Sequence, residues 1–139
     1  MLRKVVTSFV IGIVAVFISC SLSKEKRTGE NGVILFHEQF NSGNYHEIYQ
    51  QADEAFRRAS TEDSFVEYLV AVKRKMGSVK NTTQGVWRVD GFITGTFASL
   101  QYQTEFSEGH AVEDFVFVIK DDTATLYRYN INSPTLVTK

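Results

Sequence analysis

The chain has 139 residues and a mass of 15.8 kDa; 43% of the residues are hydrophobic, 22% are charged and one is Pro. This length allows one domain of ordinary size, and the composition is that of a chain with a packed core rather than of a disordered one. Because 15 Lys and Arg residues are balanced by 16 Asp and Glu residues, the basic surface that phosphate contacts require is missing, and nucleic acid is excluded as a partner.

The N-terminal segment has the organisation of an export signal. Arg3 and Lys4 precede an apolar run over residues 5–18. As a helix this run would be about 21 Å long, which is shorter than the roughly 30 Å hydrocarbon core of a bilayer. The pattern therefore predicts a secretion signal rather than a stable transmembrane helix.

The apolar run ends at Phe17-Ile18-Ser19-Cys20, where a small residue precedes the only cysteine of the chain. This arrangement resembles the lipobox of bacterial lipoproteins, although Phe17 stands where that family usually has Leu or another aliphatic residue. The resemblance implies a signal peptide over residues 1–19, cleavage before Cys20, and acylation of its thiol and its new amino group by fatty acids such as palmitate. Several acyl chains would hold the protein durably at a membrane. The alternatives are a buried structural cysteine or an uncleaved anchor.

The lipoprotein resemblance places the protein at the bacterial cell membrane. Removing residues 1–19 takes Arg3 and Lys4 from the 15 basic residues and leaves 13 against 16 acidic residues, a net charge of −3. Electrostatic adhesion to anionic headgroups is therefore not expected, and lipid would supply the attachment. Ser21 resembles the residue found after the cysteine in lipoproteins of the outer membrane, which predicts its periplasmic face in a Gram-negative host. Residues 20–32 are predicted to be the lipidated cysteine and a polar linker.

Helical periodicity begins after this segment and predicts two of the helices directly. A short first helix ends near Ser42, before Gly43, and a third helix begins after Thr61 and ends before Gly77, because Gly favours helix ends. The face of the first helix carries four residues at helical spacing: Val33, Phe36, His37 and Phe40.

A second helix is predicted between these two. Asn44 and Glu47 have the spacing of a capping box, and apolar or aromatic residues continue at helical spacing to Ala59. One continuous helix from Tyr45 to Ala59 is therefore expected.

After Gly77 the hydrophobic period changes to two, which predicts strands. The predicted strands are residues 79–89, 92–106, 111–120 and 125–132. The predicted turns are Asp90-Gly91, Ser107-Glu108-Gly109 and Asp121-Asp122. Helices followed by about four antiparallel strands indicate an α+β fold in which a curved sheet packs on the helical faces.

The order of elements supports a resemblance at the level of fold. Gly43-Asn44-Tyr45 between the first two helices, Met76-Gly77 closing the last helix, and long strands in series resemble the cystatin-like, or nuclear-transport-factor-2-like, cone superfamily. The resemblance covers a domain over residues 33–133, followed by a C-terminal tail over residues 134–139. Members of that superfamily include isomerases, dehydratases, transport adaptors and ligand-binding modules, so the fold alone selects no activity.

Motifs of metal, nucleotide and nucleophilic chemistry are missing from the sequence. His37, His46 and His110 do not have metal-ligand spacing, no cofactor is indicated, and no nucleophile elbow or phosphate-binding loop occurs. His37 is interpreted as a satisfied core histidine, and His46 and His110 as surface residues. The chain is therefore predicted not to be an enzyme.

One enzymatic alternative remains. Asp114 interrupts the apolar sequence Val112–Val116, and a carboxylate inside an apolar cone is the base of ketosteroid-isomerase-type proton transfer. Tyr102 or Tyr127 would then donate a hydrogen bond to the enolate. The simpler interpretation is that Glu113 and Asp114 form the solvated start of a strand.

The aromatic content of 13% either fills a core or lines a pocket, and the core is favoured because a small domain needs large side chains. The hypothetical apolar pocket has six lining residues: Phe92, Leu100, Tyr102, Phe106, Phe115 and Phe117. The function predicted overall is a lipid-anchored binding or interaction module whose partner is an envelope protein or a small apolar ligand. A dimeric scaffold that assembles through the open face of the sheet is a further alternative.

Overall fold

The computed structural model describes the backbone of residues 2–138 and the side chains of residues 22–138. Helices pack on one face of an open, curved antiparallel sheet with strand order β1-β2-β3-β4. The elements in chain order are α1 Leu2–Ser42, α2 Tyr45–Gln50, α3 Glu54–Ala59, α4 Glu62–Met76, β1 Val79–Phe92, β2 Gly95–Phe106, β3 Gly109–Lys120, β4 Thr123–Asn132 and α5 Pro134–Thr138. The predicted α+β fold with four strands is confirmed.

Helix α1 includes the segment that the sequence predicts to be a linker. A Cβ added at Gly29 would lie 2.9 Å from Cδ1 of Leu100, and one at Gly32 would lie 2.9 Å from Cε1 of Phe117. The absence of side chains at these two glycines lets the helix approach the sheet closely. The linker prediction is therefore wrong for residues 22–32, and the folded unit begins before residue 33.

The predicted second helix is divided into α2 and α3. Asp53 separates them: its backbone N–H donates to the carbonyl of Leu126 at 2.9 Å, and its side chain caps α3 by accepting from the N–H of Ala55 at 2.9 Å. The side chain of Asn44 makes no capping hydrogen bond. Asp53, which is held by its hydrogen bond to β4, thus starts a new helix, although the helical spacing of apolar residues continues through it.

Helix α4 agrees with the prediction at both ends. Thr61 caps its N-terminus by accepting from the N–H of Ser64, and Gly77 ends it with φ of 78°. Three basic side chains in the last turn complement the negative end of the helix dipole.

The sequence predicts three turns between the strands, and three are present, but the first lies at a different position. The first turn lies at Ile93-Thr94 rather than at Asp90-Gly91, because Phe92 pairs with Gly95 and Gly95 adopts φ of 143°. The turn at Asp121-Asp122 is confirmed.

The predicted C-terminal tail contains the short helix α5. The Lys75 ammonium donates to the carbonyl of Leu136 at 2.7 Å, which attaches this helix to the end of α4. Residues 134–138 are therefore part of the folded unit.

Alternation along the strands separates two faces of the sheet. The inner face packs on the helices and is apolar apart from a few buried polar groups. The outer face carries mostly polar side chains and is not covered by any element of residues 22–138. The inward side chains of β2 are Ala98, Leu100, Tyr102, Thr104 and Phe106, as the period of two predicted.

Candidate functional site

A carboxylate lies inside the core, between α1 and the inner face of the sheet. Glu113 on β3 is 1% exposed, although a carboxylate is rarely buried so completely without partners. Its inward neighbours on the same strand are Ala111 and Phe115, and all three are buried.

Three side chains from three different elements donate to this carboxylate. His37 of α1 places Nε2 at 2.8 Å from Oε2 of Glu113, and the hydroxyl of Thr104 on β2 donates to the same oxygen at 2.5 Å. The hydroxyl of Tyr129 on β4 donates to Oε1 at 2.7 Å. We call these four residues the Glu113 cluster. Because every donor meets an acceptor, the cluster links α1 to three strands through satisfied polar contacts.

Aromatic rings close around the Glu113 cluster. The ring of Phe36 lies with its centroid 4.6 Å from that of Tyr129 and 5.2 Å from that of Phe115. Burial, followed by the negative charge of Glu113, raises the pKa of Tyr129 well above 10.0. The same two causes raise the pKa of Tyr68, whose ring is next to that of Tyr129. The arrangement holds Tyr129, which is half-buried against the core, as a neutral donor to Glu113.

Replacing Tyr129 with Phe tests this contact. The loss of a hydrogen bond to a charged acceptor should lower the free energy of unfolding at pH 7 by about 1.5–3 kcal/mol. The pKa of Tyr129 is raised in the folded state, so its stabilisation is complete below the unfolded value near 10.0 and is lost as the pH rises further. The difference between wild type and Y129F should therefore narrow above about pH 10.

Urea unfolding at several pH values measures this difference. Tyr127→Phe is the matched control, because Tyr127 lies on the same strand but is 39% exposed. Equal losses in the two variants, or a gap that widens at alkaline pH, would contradict the assigned contact.

Asp114, the candidate base, lies on the outer face of the sheet. Its Oδ1 accepts from Nε2 of Gln101 at 3.0 Å, and the side chain is half-buried. The placement of Asp114 inside an apolar cone is therefore wrong, because strand alternation turns its neighbour Glu113 inward instead. The proposed donors differ too: Tyr102 accepts from Gln84 at 3.1 Å, and Tyr127 is on the exposed side of β4.

The residues of the hypothetical apolar pocket fill the core. Five of them are at most 8% exposed and belong to one packed cluster: Leu100, Tyr102, Phe106, Phe115 and Phe117. Phe92 is 62% exposed in the β1–β2 hairpin. The cavity beside α1 that includes Gly32, Phe36 and Phe117 has a volume of only about 40 Å³. The core interpretation of the aromatic residues is the one that the structure supports.

Two open grooves cross the outer face instead. The central groove, of about 670 Å³, is lined by Arg88, Ser99, Gln101, Asp114, Val116 and Arg128, among others. The distal groove, of about 410 Å³, lies at the end of the sheet near the β2–β3 turn, and its lining includes Asn81, Thr83, Gln103, Glu105, His110 and Asn132. Both grooves offer hydrogen-bond donors and acceptors next to apolar carbon.

The three histidines occupy the environments that the sequence predicted. His37 is a buried, hydrogen-bonded core residue, whereas His46 and His110 are exposed. His46 pairs with Glu62 at 2.9 Å, and this hydrogen bond is the largest influence lowering the pKa of Glu62. Within residues 22–138, no group of three His, Cys, Asp or Glu residues is placed to hold a metal ion.

Cys20 and the apolar run before it lie outside the residues whose side chains are described, so its lipidation stays a prediction. In the part of the chain with described side chains, no helix is both long and apolar enough to cross a membrane.

A family model with the description "Protein of unknown function (DUF4019)" matches residues 36–128. The chain belongs to the DUF4019 family. The matched range of this DUF4019 chain contains His37, Thr104 and Glu113 and ends one residue before Tyr129.

A comparison with curated proteins gave no match. Among solved structures, the DUF4019 chain is similar to Bd1075 of Bdellovibrio bacteriovorus, with 13% sequence identity and a TM-score of 0.49 over 76% of this chain. The chain spans 40% of the length of that protein.

The interpretation of Glu113 as part of the solvated start of a strand is wrong, because Glu113 is the buried carboxylate of the interior. The available signal was the alternation of Ala111, Glu113 and Phe115, which places all three on one face. Val112 and Val116 on the opposite face hide this alternation, because they make the strand apolar on both sides.

Proposed function

We propose that this DUF4019 protein is a lipid-anchored protein of the bacterial cell envelope that acts as a non-catalytic interaction module. Its partner binds on the outer face of the sheet, over the central and distal grooves. The lipid is carried by Cys20, as the lipobox resemblance implies. The cone superfamily resemblance is part of the same proposal and is supported by helices packed on one face of a curved sheet.

The observation that carries the proposal is the contrast between the two faces of the sheet. On the helix side of the sheet, the cavity beside α1 has only about 40 Å³, and the cleft between α3 and β4, which reaches Phe56 and Tyr129, has about 270 Å³. Both are smaller than the roughly 300–1,000 Å³ of typical ligand pockets. The outer face has grooves of about 410 and 670 Å³. A filled interior and an open sheet face are typical of a module that acts through its surface.

The side chains of the central groove favour a protein partner over a small apolar ligand. Val116, which is 8% exposed, forms part of its floor. Arg88, Asp114 and Arg128 supply charges of both signs around that floor. Arg88 is paired with Asp90 at 2.6 Å and Asp114 accepts from Gln101 at 3.0 Å, but an apolar metabolite would remove water from these charged groups and offer no further hydrogen bonds in exchange. A polypeptide offers amides, carbonyls and side chains to pair with them.

The buried Glu113 cluster has a supporting role in this proposal. Its hydrogen bonds join α1 to β2, β3 and β4 and so hold the curvature of the sheet whose outer face carries the grooves. Rigid presentation lowers the entropic cost of binding.

Site-specific photocrosslinking in the native host tests the proposed surface. A photoreactive phenylalanine analogue replaces Arg128 in the central groove or Gln103 in the distal groove, and Glu67 on the exposed face of α4 is the matched control. We expect a discrete adduct from the groove positions and none from position 67.

Adduct masses separate the alternatives. A heterologous adduct supports the module, whereas an adduct of twice the chain mass from the same positions would favour the dimeric scaffold. Adducts at position 67 without any at positions 103 and 128 would overturn the proposal.

A further inference from the structure

The β1–β2 turn carries exposed apolar side chains, and it lies at the end of the sheet nearest residue 22. Ile93 at the tip of the β1–β2 hairpin is 107% exposed, and the adjacent Phe92 is 62% exposed. These two large apolar side chains keep apolar surface in water, and contact with an apolar phase would bury it favourably.

The position of this tip is fixed relative to α1. Thr96 pairs with Ile119, so the β1–β2 and β3–β4 turns lie at the same end of the sheet. The ammonium of Lys24 is 2.7 Å from a carboxylate oxygen of Asp122 in the second of these turns. The two turns are separated by two strand spacings, or about 10 Å. The hairpin tip therefore lies at the same end of the sheet as the beginning of the described part of α1, about 10 Å from the turn that Lys24 contacts.

The chain between Lys24 and the proposed lipid site is short. Three residues lie between Cys20 and Lys24, so the four residue steps from one to the other span at most about 14 Å even when fully extended. As a helix, the same residues cover about 6 Å. A domain held by lipid at Cys20 consequently has this end of its sheet against the bilayer surface.

Charge at this end neither attracts nor repels a membrane strongly. The basic residues are Lys24, Lys26, Arg27, Arg88 and Lys120, and the acidic residues are Glu25, Glu30, Asp90, Asp121 and Asp122. The two sets balance, so apolar contact rather than electrostatic attraction would be the source of affinity.

We infer that Phe92 and Ile93 form a membrane-contacting tip that enters the interfacial layer of the bilayer beside the lipid anchor. This inference rests on the proposed function, because the short tether is what brings the tip to the membrane. Insertion fixes the orientation of the domain. The distal groove then faces away from the bilayer, since the strands of the sheet run about 36 Å from the tip to the other end.

Depth-dependent fluorescence quenching tests the tip. The full-length protein is purified from its host and reconstituted into phosphatidylcholine vesicles with or without brominated acyl chains. Trp87, the only tryptophan, is replaced by Phe, and a new tryptophan is introduced as Ile93→Trp. Val137→Trp is the matched control, because Val137 is an exposed apolar residue, 85% accessible, on α5 near the opposite end of the sheet.

We expect I93W to lose most of its emission in brominated vesicles and to shift to shorter wavelength, with V137W unchanged. Mass spectrometry of the same samples reports acylation at Cys20. An acylated protein whose I93W emission is insensitive to bromine, or is quenched no more than V137W, overturns the membrane-contacting tip and leaves the anchor intact. A protein without acyl chains overturns the anchor, and with it the tether on which the tip depends.

Discussion

Replacing Glu113 with alanine is expected to lower the free energy of unfolding by about 3–5 kcal/mol, because one partner is removed from a buried charged network. His37 and Thr104 would each keep a buried donor that has lost its acceptor, and Tyr129 would keep a half-buried one. Since domains of this size are typically stable by about 5–15 kcal/mol, a loss of this size is a large fraction of the stability of the domain.

Asp114→Ala is the matched control, and guanidinium unfolding followed by circular dichroism is the measurement. Asp114 is adjacent in sequence but on the outer face, where its one hydrogen bond to Gln101 is half-exposed, so we expect a loss of no more than about 1 kcal/mol. If E113A does not fold, Glu113→Gln retains the volume and one acceptor, and should lose less than E113A but more than D114A. Equal losses at positions 113 and 114 would contradict the assignment of the two faces.

Replacing Cys20 with alanine is expected to abolish fatty-acid labelling and to release the protein from membranes. Each buried CH₂ of an acyl chain contributes about 0.8 kcal/mol to membrane attachment, so several chains give a lasting anchor and their loss removes nearly all of it. An exposed tip of two apolar residues would not substitute for that anchor.

The measurement combines metabolic labelling with a fatty-acid analogue and fractionation of membranes. Ser21→Ala serves as the control, because it changes the next residue and keeps the thiol; it should still be labelled and membrane-bound. Labelling and membrane retention in C20A would refute the anchor.

The sequence was sufficient for the main elements because their signals are local. Thr61 and Gly77 determine the ends of α4 through capping and a positive φ. The adjacent residues Asp121 and Asp122 by themselves predict the turn that they form. The side chains of β2 that face the helices follow directly from the alternation of the strand. Such features depend on chain neighbours alone and need no knowledge of tertiary structure.

The predictions that differ from the structure concern features that depend on contacts between residues far apart in the sequence. The hydrogen bond of His37 to Glu113 joins residues 76 positions apart, and the capping residue Asp53 is positioned by a backbone bond to Leu126. Polar composition before residue 32 predicted a linker, whereas glycines in that segment meet the sheet. No local pattern contains these partners, so the hydrogen-bond partners of Glu113 and the true start of the domain could not be obtained from the sequence.

Gly29 and Gly32 also set the inclination of α1. At Gly29 and Gly32 the backbone is almost against Leu100 and Phe117, whereas Phe36 and Phe40 fill the space farther along. The helix and sheet thus form a wedge, narrow at one end and filled with aromatic rings at the other. A larger side chain at Gly32 would push this part of α1 away from the sheet. The angle between the axis of α1 and the strands would change as a result.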